Sequence, residues 1–216
     1  MIHSQKLVDF SYEIATTALK QSDAILATII DCVGDCTLAL EQQTGDLLFS
    51  LCTVIIYQQL SVKAASIIHQ RFLELYSELS AQSLLETSDE TLRKAGISRP
   101  KTAYLKGLAQ KILDGLPTLN DLETMDDESI IQTLTQVKGI GRWTAEMVLI
   151  FRLHRWDVLP ADDLGIRAAI YKAYNLPDLP NKKTVNQLGQ IWQPYRTVAS
   201  WYLWQSLKLS EIDSTA

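Results

Sequence analysis

Apolar positions recur at the three-and-four spacing of a helix along nearly the whole chain. Over residues 5–20, Leu7, Phe10, Ile14, Ala15, Ala18 and Leu19 follow this period, and residues 22–33 repeat it behind Ser22 or Asp23, both suitable N-caps. Thr44-Gly45-Asp46 breaks the pattern. Leu47 to Gln59 then runs apolar for longer than an ordinary strand, which predicts a buried helix. Tyr57-Gln58-Gln59-Leu60-Ser61 interrupts that run, and Ser61 suits the cap of a helix from Val62 to about Leu75. A short helix over 81–86 follows, then one opened by Ser88-Asp89-Glu90 and closed near Gly96, a good C′ residue. A basic helix runs from Ser98 to about Leu113 and is closed by Gly115; Thr124 to Glu128 offer caps for a helix to about Thr135. Val137-Lys138-Gly139-Ile140-Gly141-Arg142 leads into a helix from about Trp143 to Arg152. Beyond Pro160, Asp162 or Asp163 caps a helix through Tyr174. Residues 175–183, with two prolines, form a loop; helices over 184–191 and 194–209 and a frayed tail, EIDSTA, complete the chain. The pattern predicts an all-α protein of ten to twelve short helices, without internal repeat or low-complexity segment.

Composition narrows the class. With 216 residues, 47% hydrophobic and 21% charged, the chain can build one sizeable core or two lobes, and it is not of disordered composition. No apolar run reaches the length of a membrane span, and the N-terminus lacks the apolar core and small-residue cleavage site of a secretion signal. Cys32, Cys36 and Cys52 are odd in number and too few for a disulfide framework, which points to buried, reduced thiols and a reducing compartment. Cys32 and Cys36, four apart, can share a helix face. The net charge of −5 argues against a simple basic nucleic-acid binder. The charge is nevertheless segregated: six basic and no acidic residues lie between Arg93 and Lys111, and five acidic and no basic ones between Asp121 and Glu128. Local fields rather than the total govern phosphate binding.

The stretch Gln136–Arg167 concentrates the candidate chemistry. Gly139-Ile140-Gly141 lies between two helices, and glycine lets backbone approach another group closely. The amides that open the second helix have no intrahelical acceptor and sit at its positive end, an anion site in form. Lys138 and Arg142 flank it with charge. A plain helix connection with a glycine cap explains the same letters equally well. A dinucleotide fingerprint or P-loop does not, because no strand precedes the glycines and no G-K-S/T follows. Asp162 and Asp163 read as caps, or as a carboxylate placed where positive charge develops, for instance on a sugar losing an N-glycosidic base.

I-Y-Q-Q-L-S-V-K-A-A, G-I-S-R-P-K-T-A-Y-L-K-G-L-A, V-K-G-I-G-R-W-T-A, L-P-A-D-D-L-G-I-R and W-Q-P-Y-R-T-V-A-S-W-Y-L-W occur in that order. Together, over roughly residues 47–207, they resemble the helix-hairpin-helix DNA glycosylase superfamily, and within it the 3-methyladenine DNA glycosylase II branch. The resemblance implies a fold of two helical lobes, 46–156 and 1–45 with 157–216. Trp143, Asp163 and Trp204 would line the cleft between them. The N-terminal β domain of larger relatives has no room here. By position, the backbone amides of Gly139, Gly141 and Thr144 would hold DNA phosphates. The carbonyls of Thr135, Val137 and Gly139 would take a monovalent cation, Na+ or K+. Asp163 would be catalytic, with Asp162 the cap or structural neighbour. Trp143, Trp204 and Met147 would line the base pocket, where aromatic faces suit a cationic alkylated purine. Met147 stands where some relatives carry an aromatic, which leaves the damage range open. Gln59, polar where a relative has leucine, is the expected wedge that fills the gap left by a flipped nucleotide. Helix-end glutamines that cap backbone groups fit the same letters.

Bifunctional members carry a Schiff-base lysine at the position of Trp143, so the resemblance implies base release without strand cleavage. No cysteine follows Cys52, so no iron–sulfur cluster is expected, and no cofactor is required. The expected partner is duplex DNA with alkylated bases. The protein should act as a monomer away from membranes, in the cytoplasm on the nucleoid if bacterial and in the nucleus if eukaryotic. Two other readings stay open: a glycosylase for oxidised or deaminated bases, and a non-catalytic helix-hairpin-helix DNA-binding protein.

Overall fold

The computed structural model describes residues 2–41 and 45–213. Thr44, the side chains of Leu7 and Phe10, and the last three residues of the tail lie outside the described residues. Every regular element among the described residues is helical: α1 (Ile2–Ser22), α2 (Ala24–Val33), α3 (Leu47–Tyr57), α4 (Val62–Leu73), α5 (Ala81–Glu86), α6 (Asp89–Lys94), α7 (Arg99–Leu113), α8 (Leu119–Glu123), α9 (Asp127–Thr135), α10 (Arg142–Phe151), α11 (Leu164–Ala173), α12 (Lys182–Leu188) and α13 (Arg196–Asp213). Two 3₁₀ turns, Leu38–Glu41 and Gly189–Trp192, complete the set. None of these helices is long and apolar enough to cross a membrane.

Caps explain most boundaries. Asp23, Ser61, Ser88 and Asp126 each cap the helix that follows, accepting its early amides. The sequence pattern does not anticipate α8, a single turn created by a capping box in which Thr118 and Asp121 satisfy each other's backbone. α3 stops at Tyr57, two residues earlier than expected, because Gln58 turns extended and Gln59 left-handed. Cys32 and Cys36 do not share a helix, since α2 ends at Val33; only Cys52 is buried, and burial pushes its thiol pKa far up.

The chain divides into two compact units. One is Gln43–Val148, with α3 at its centre: Leu51, Cys52, Ile55 and Ile56 are all at most 1% exposed. This accounts for its unbroken apolar run, since a helix covered on every side has no polar stripe. α4 and α7 pack on α3, α5 and α6 pack on α7, and Phe72, Leu84, Leu92, Leu105 and Leu108 close that core. Truncating Phe72 to alanine would cost about 3–5 kcal/mol.

The other unit joins Met1–Gln42 to Leu149–Ala216. α13 packs on α1, α2 and α11, burying Val198, Ala199, Tyr202 and Leu203 against Leu19, Leu26, Ile30, Ile166 and Ile170. A well-connected polar group in it is the buried Asp23 carboxylate. It caps α2 through the amides of Ile25 and Leu26, accepts the Trp192 indole N–H at 2.8 Å, and takes the Tyr174 hydroxyl. The Tyr202 hydroxyl donates to the Gly34 carbonyl at 2.9 Å and ties α13 to the end of α2.

Candidate active site and nucleic-acid interface

Asp163 is reached through a loop that α13 holds along its length. Arg196 grips the Asp157 carboxylate through Nε at 2.7 Å and Nη2 at 2.9 Å. The Thr197 hydroxyl donates to Arg155 O at 2.6 Å and accepts from Val158 N at 3.0 Å. Ser200, one turn further on, donates to Arg196 O at 2.8 Å and makes a longer contact with Val158 O at 3.4 Å. One turn beyond that, Trp204 donates its indole N–H to Asp163 Oδ1 at 2.9 Å. Positions 196, 197, 200 and 204 share a helix face, so one element fixes the loop and then its terminal carboxylate.

Asp163 is also the N-cap of α11. Its backbone is extended and its Oδ1 accepts the Ile166 amide at 2.8 Å. Of the two aspartates that could cap α11, Asp163 does so; Asp162, expected as the cap or a structural neighbour, lies one residue too early to cap and pairs instead with Lys182 at 2.6 Å. Asp163 therefore combines the two readings of the aspartate pair. Both bonds converge on one oxygen, which fixes the plane of the carboxylate.

Trp204 is half-buried, and its ring stacks on Phe151 with centroids 6.1 Å apart and planes 23° from parallel. Gly165 completes the set. A Cβ at this position would stand 3.0 Å from Asp163 Oδ1 and 3.2 Å from Trp204 Cδ1. Neither Phe151 nor Gly165 stands out in the sequence. The signals available were the four-residue spacing of Trp143, Met147 and Phe151 along α10, and a glycine in the first turn of a helix, where propensity disfavours it. Trp143 is 39% exposed, and Met147, one turn on, is 8% exposed.

The hairpin lies in the other unit. Gly139 has φ +94° and Gly141 is the residue whose carbonyl accepts the first amide bond of α10, from Ala145. At Gly139 a side chain is excluded twice: by the left-handed backbone, and by the Tyr104 ring, whose Cγ would stand 2.5 Å from a Cβ. Beside Gly141 there is open space. Ile140 is buried, as an anchor for the turn requires, and the Thr144 side chain is buried as well.

Of the two cations expected to flank the hairpin, Lys138 is exposed, whereas Arg142 is engaged. Its guanidinium forms a two-pronged pair with Glu128, at 3.1 and 2.9 Å, and a bond to Glu146 at 3.1 Å. Three of the five residues in the acidic run thereby have a local role. Asp121 closes the capping box of α8, Asp126 is the N-cap of α9, and Glu128 holds Arg142. In the basic run, Lys94 and Lys106 pair with Glu90 and Asp89.

The cation that the resemblance implies at the hairpin would be offered three neutral backbone carbonyls, those of Thr135, Val137 and Gly139. Val137 O accepts from Ile140 N and Gly139 O from Gln58 Nε2, each at 3.0 Å, so each retains a second lone pair. Hard, uncharged oxygens suit a monovalent ion. Gln59 and Leu60 form the exposed tip of the turn after α3, and Gln59 has φ +58°.

These geometries can be compared with known proteins. The chain is 43% identical over 158 residues to DNA-3-methyladenine glycosylase 1 of Schizosaccharomyces pombe, an alignment covering 71% of this chain and 69% of that protein. It is 32% identical to the alkylbase DNA glycosidase-like protein mag2 of the same yeast, over 93% of this chain and 96% of the relative. Among solved structures, the S. pombe 3-methyladenine DNA glycosylase in complex with abasic DNA superposes with a TM-score of 0.83 at 35% identity, over 91% of this chain and 98% of that one. The family described as HhH-GPD superfamily base excision DNA repair protein matches residues 52–194. The chain belongs to the HhH-GPD superfamily of base excision DNA repair proteins.

Proposed function

We propose that this protein is a monofunctional DNA glycosylase that hydrolyses the N-glycosidic bond of alkylated purines, such as 3-methyladenine, flipped out of duplex DNA. The observation that carries the reading is the Asp163 carboxylate, locked by the Ile166 amide and the Trp204 indole on a single oxygen. A carboxylate held this rigidly stabilises charge without reorganising. As the C1′–N bond breaks, the bond electrons leave with the purine and the sugar gains oxocarbenium character, which Asp163 stabilises. Water adds at C1′ and passes its proton to the Asp163 carboxylate, which returns it to solvent, leaving free neutral base and an abasic sugar. N-alkylation makes the purine cationic before cleavage and neutral afterwards, so no strong leaving-group acid is needed.

By the resemblance, Trp143 and Met147 in one unit and Trp204 in the other are the residues assigned to the base, and a cationic base gains attraction from an indole face. Trp143 occupies the position at which a lysine would form a Schiff base, so the strand stays intact. The amides of Gly139, Gly141 and Thr144 hold phosphates, and the open space beside Gly141 lets the DNA backbone approach. Gln59 is the wedge. The carbonyls of Thr135, Val137 and Gly139 fit a Na+ or K+ ion, which would add positive charge beside those phosphates. The protein works as a monomer in the compartment that holds the DNA.

The Asp163→Asn variant tests the reading, because asparagine keeps the cap and the Trp204 bond while removing the charge. Release of methylated purine from duplex DNA should fall about 100-fold or more, with melting close to wild type. Release at the wild-type rate would sink the proposal, and a panel of defined lesions would expose any preference for oxidised or deaminated bases.

A further inference from the structure

Two unusual features of the Gln43–Val148 unit lie side by side. The first is Lys101, half-buried on α7. Its ammonium donates to Ile56 O and to Gln58 O, each at 2.8 Å. Among the described residues no carboxylate pairs with it. Burial draws its pKa below the ordinary lysine value. An apolar residue could fill this position without that desolvation. What the cation adds is two charge-assisted bonds to carbonyls at the C-terminal end of α3, where the helix dipole is negative. The second feature is Gln59, the next residue along, in left-handed backbone at φ +58°. For a non-glycine residue this costs about 1 kcal/mol, and it persists where the surroundings hold it. Lys101 also lines a recess of about 190 Å³ behind the turn, together with Ile56, Leu60, Ile68 and Ile97.

The same turn is tied to the hairpin. The Gln58 side-chain amide donates to Gly139 O at 3.0 Å, across 81 residues of sequence. Three positions along α7 from Lys101, the Tyr104 ring is the group against which Gly139 is seated. One helix therefore braces both structures: Lys101 the turn, Tyr104 the hairpin, with Gln58 bridging between them.

We propose that Lys101, together with Tyr104 and Gln58, forms a bracket that fixes the Gln59–Leu60 tip at a set distance from the phosphate-holding hairpin, making Lys101 a positioning residue for nucleotide extrusion. The proposal rests on reading the hairpin as the phosphate grip and Gln59 as the wedge. Extruding a nucleotide costs a few kcal/mol of stacking and pairing. A wedge recovers the flipped state only if it enters the gap while the flanking phosphates are held, and slack between wedge and grip loses that coincidence.

The test uses the full-length protein and a duplex with a tetrahydrofuran abasic site beside 2-aminopurine, whose fluorescence rises on unstacking. The rise on binding such DNA reports insertion of the wedge without chemistry. Wild type should bind and raise the fluorescence. Lys101→Met should bind within about threefold of wild type yet lose most of the rise, and Lys101→Arg, which retains charge and donors, should recover most of it. In single-turnover base release, Lys101→Met should lose about tenfold for an alkylated purine opposite its normal partner, and twofold or less when the lesion faces an abasic nucleotide. Full fluorescence in Lys101→Met, or equal losses on both duplexes, overturns the bracket. If Lys101→Met fails to fold, Gln58→Met, which severs only the link to the hairpin, carries the same two readouts. Wild type that raises the fluorescence but releases no base would refute the glycosylase reading and leave the bracket standing.

Discussion

At the scale of single residues, the site depends on how little room surrounds one carboxylate. Gly165→Ala adds a methyl 3.0 Å from Asp163 Oδ1 and 3.2 Å from Trp204. A helical glycine replaced by alanine ordinarily gains about 1 kcal/mol of stability. The variant should therefore melt at or above the wild-type temperature while kcat falls about tenfold, because the indole and carboxylate must move apart by a few tenths of an ångström. A parallel loss of stability and activity would contradict this. Trp204→Phe separates the two functions of the tryptophan. Phenylalanine keeps a ring against Phe151 but has no N–H for Asp163. A hydrogen bond to a charged group is worth about 1.5–3 kcal/mol, so kcat should drop about 10–100-fold with little change in KM. A loss confined to KM would make Trp204 a base-stacking surface only.

At the scale of elements, buried polar knots decide which helices stay together. Asp23 links α2 to α11 and to the 3₁₀ turn at Trp192. Its burial alone would raise the carboxyl pKa, but bonds from the Tyr174 hydroxyl, the Trp192 indole and the Leu26 and Ile25 amides outweigh this and hold it below the ordinary value. A pKa lower in the folded than in the unfolded chain adds stability that is fully present above about pH 4 and is lost as pH falls through the folded value. Asp23→Ala removes a cap and leaves the buried Trp192 indole and the half-buried Tyr174 hydroxyl without their acceptor, for a cost of about 2–4 kcal/mol at neutral pH. Denaturant titration should show the gap between wild type and variant closing as pH drops below 4; a gap independent of pH would refute the assignment. The sequence made these elements legible wherever a cap preceded an apolar period, as at Ser61, Ser88 and Asp163. It hid the pairings between distant positions. Lys101 reads as one more cation on a basic helix, since its acceptors lie 45 and 43 residues away, and the indole that orients the Asp163 carboxylate is 41 residues further on.

At the scale of the whole molecule, an acidic protein is expected to hold a polyanion, and the disposition of its charge says how. Many cations are internally engaged: Arg142 with Glu128 and Glu146, Lys106 with Asp89, Lys182 with Asp162, and Arg196 with Asp157. In the proposed reading, backbone amides supply the hairpin's grip. Amides bind phosphate without adding positive charge, so few counterions should be released by side chains. The slope of log K against log salt for duplex binding should be shallower than about −4, corresponding to roughly four phosphates neutralised by Lys or Arg; a slope near −8 would mean that a basic surface dominates instead. The division of the chain into an interrupted unit and an inserted one also has a bearing on biosynthesis. Asp23 leaves the ribosome 169 residues before Trp192, the partner that completes its bonds. At about 5–20 residues per second, that is a delay of roughly 10–30 s. In that interval α1 and α2 lack the 3₁₀ turn at Trp192 and the whole of α13, while Gln43–Val148 is already made. The first helices to be made are thus among the last to be secured, and a newborn chain passes through a stage at which the hairpin can fold but the carboxylate that would do the chemistry has no support.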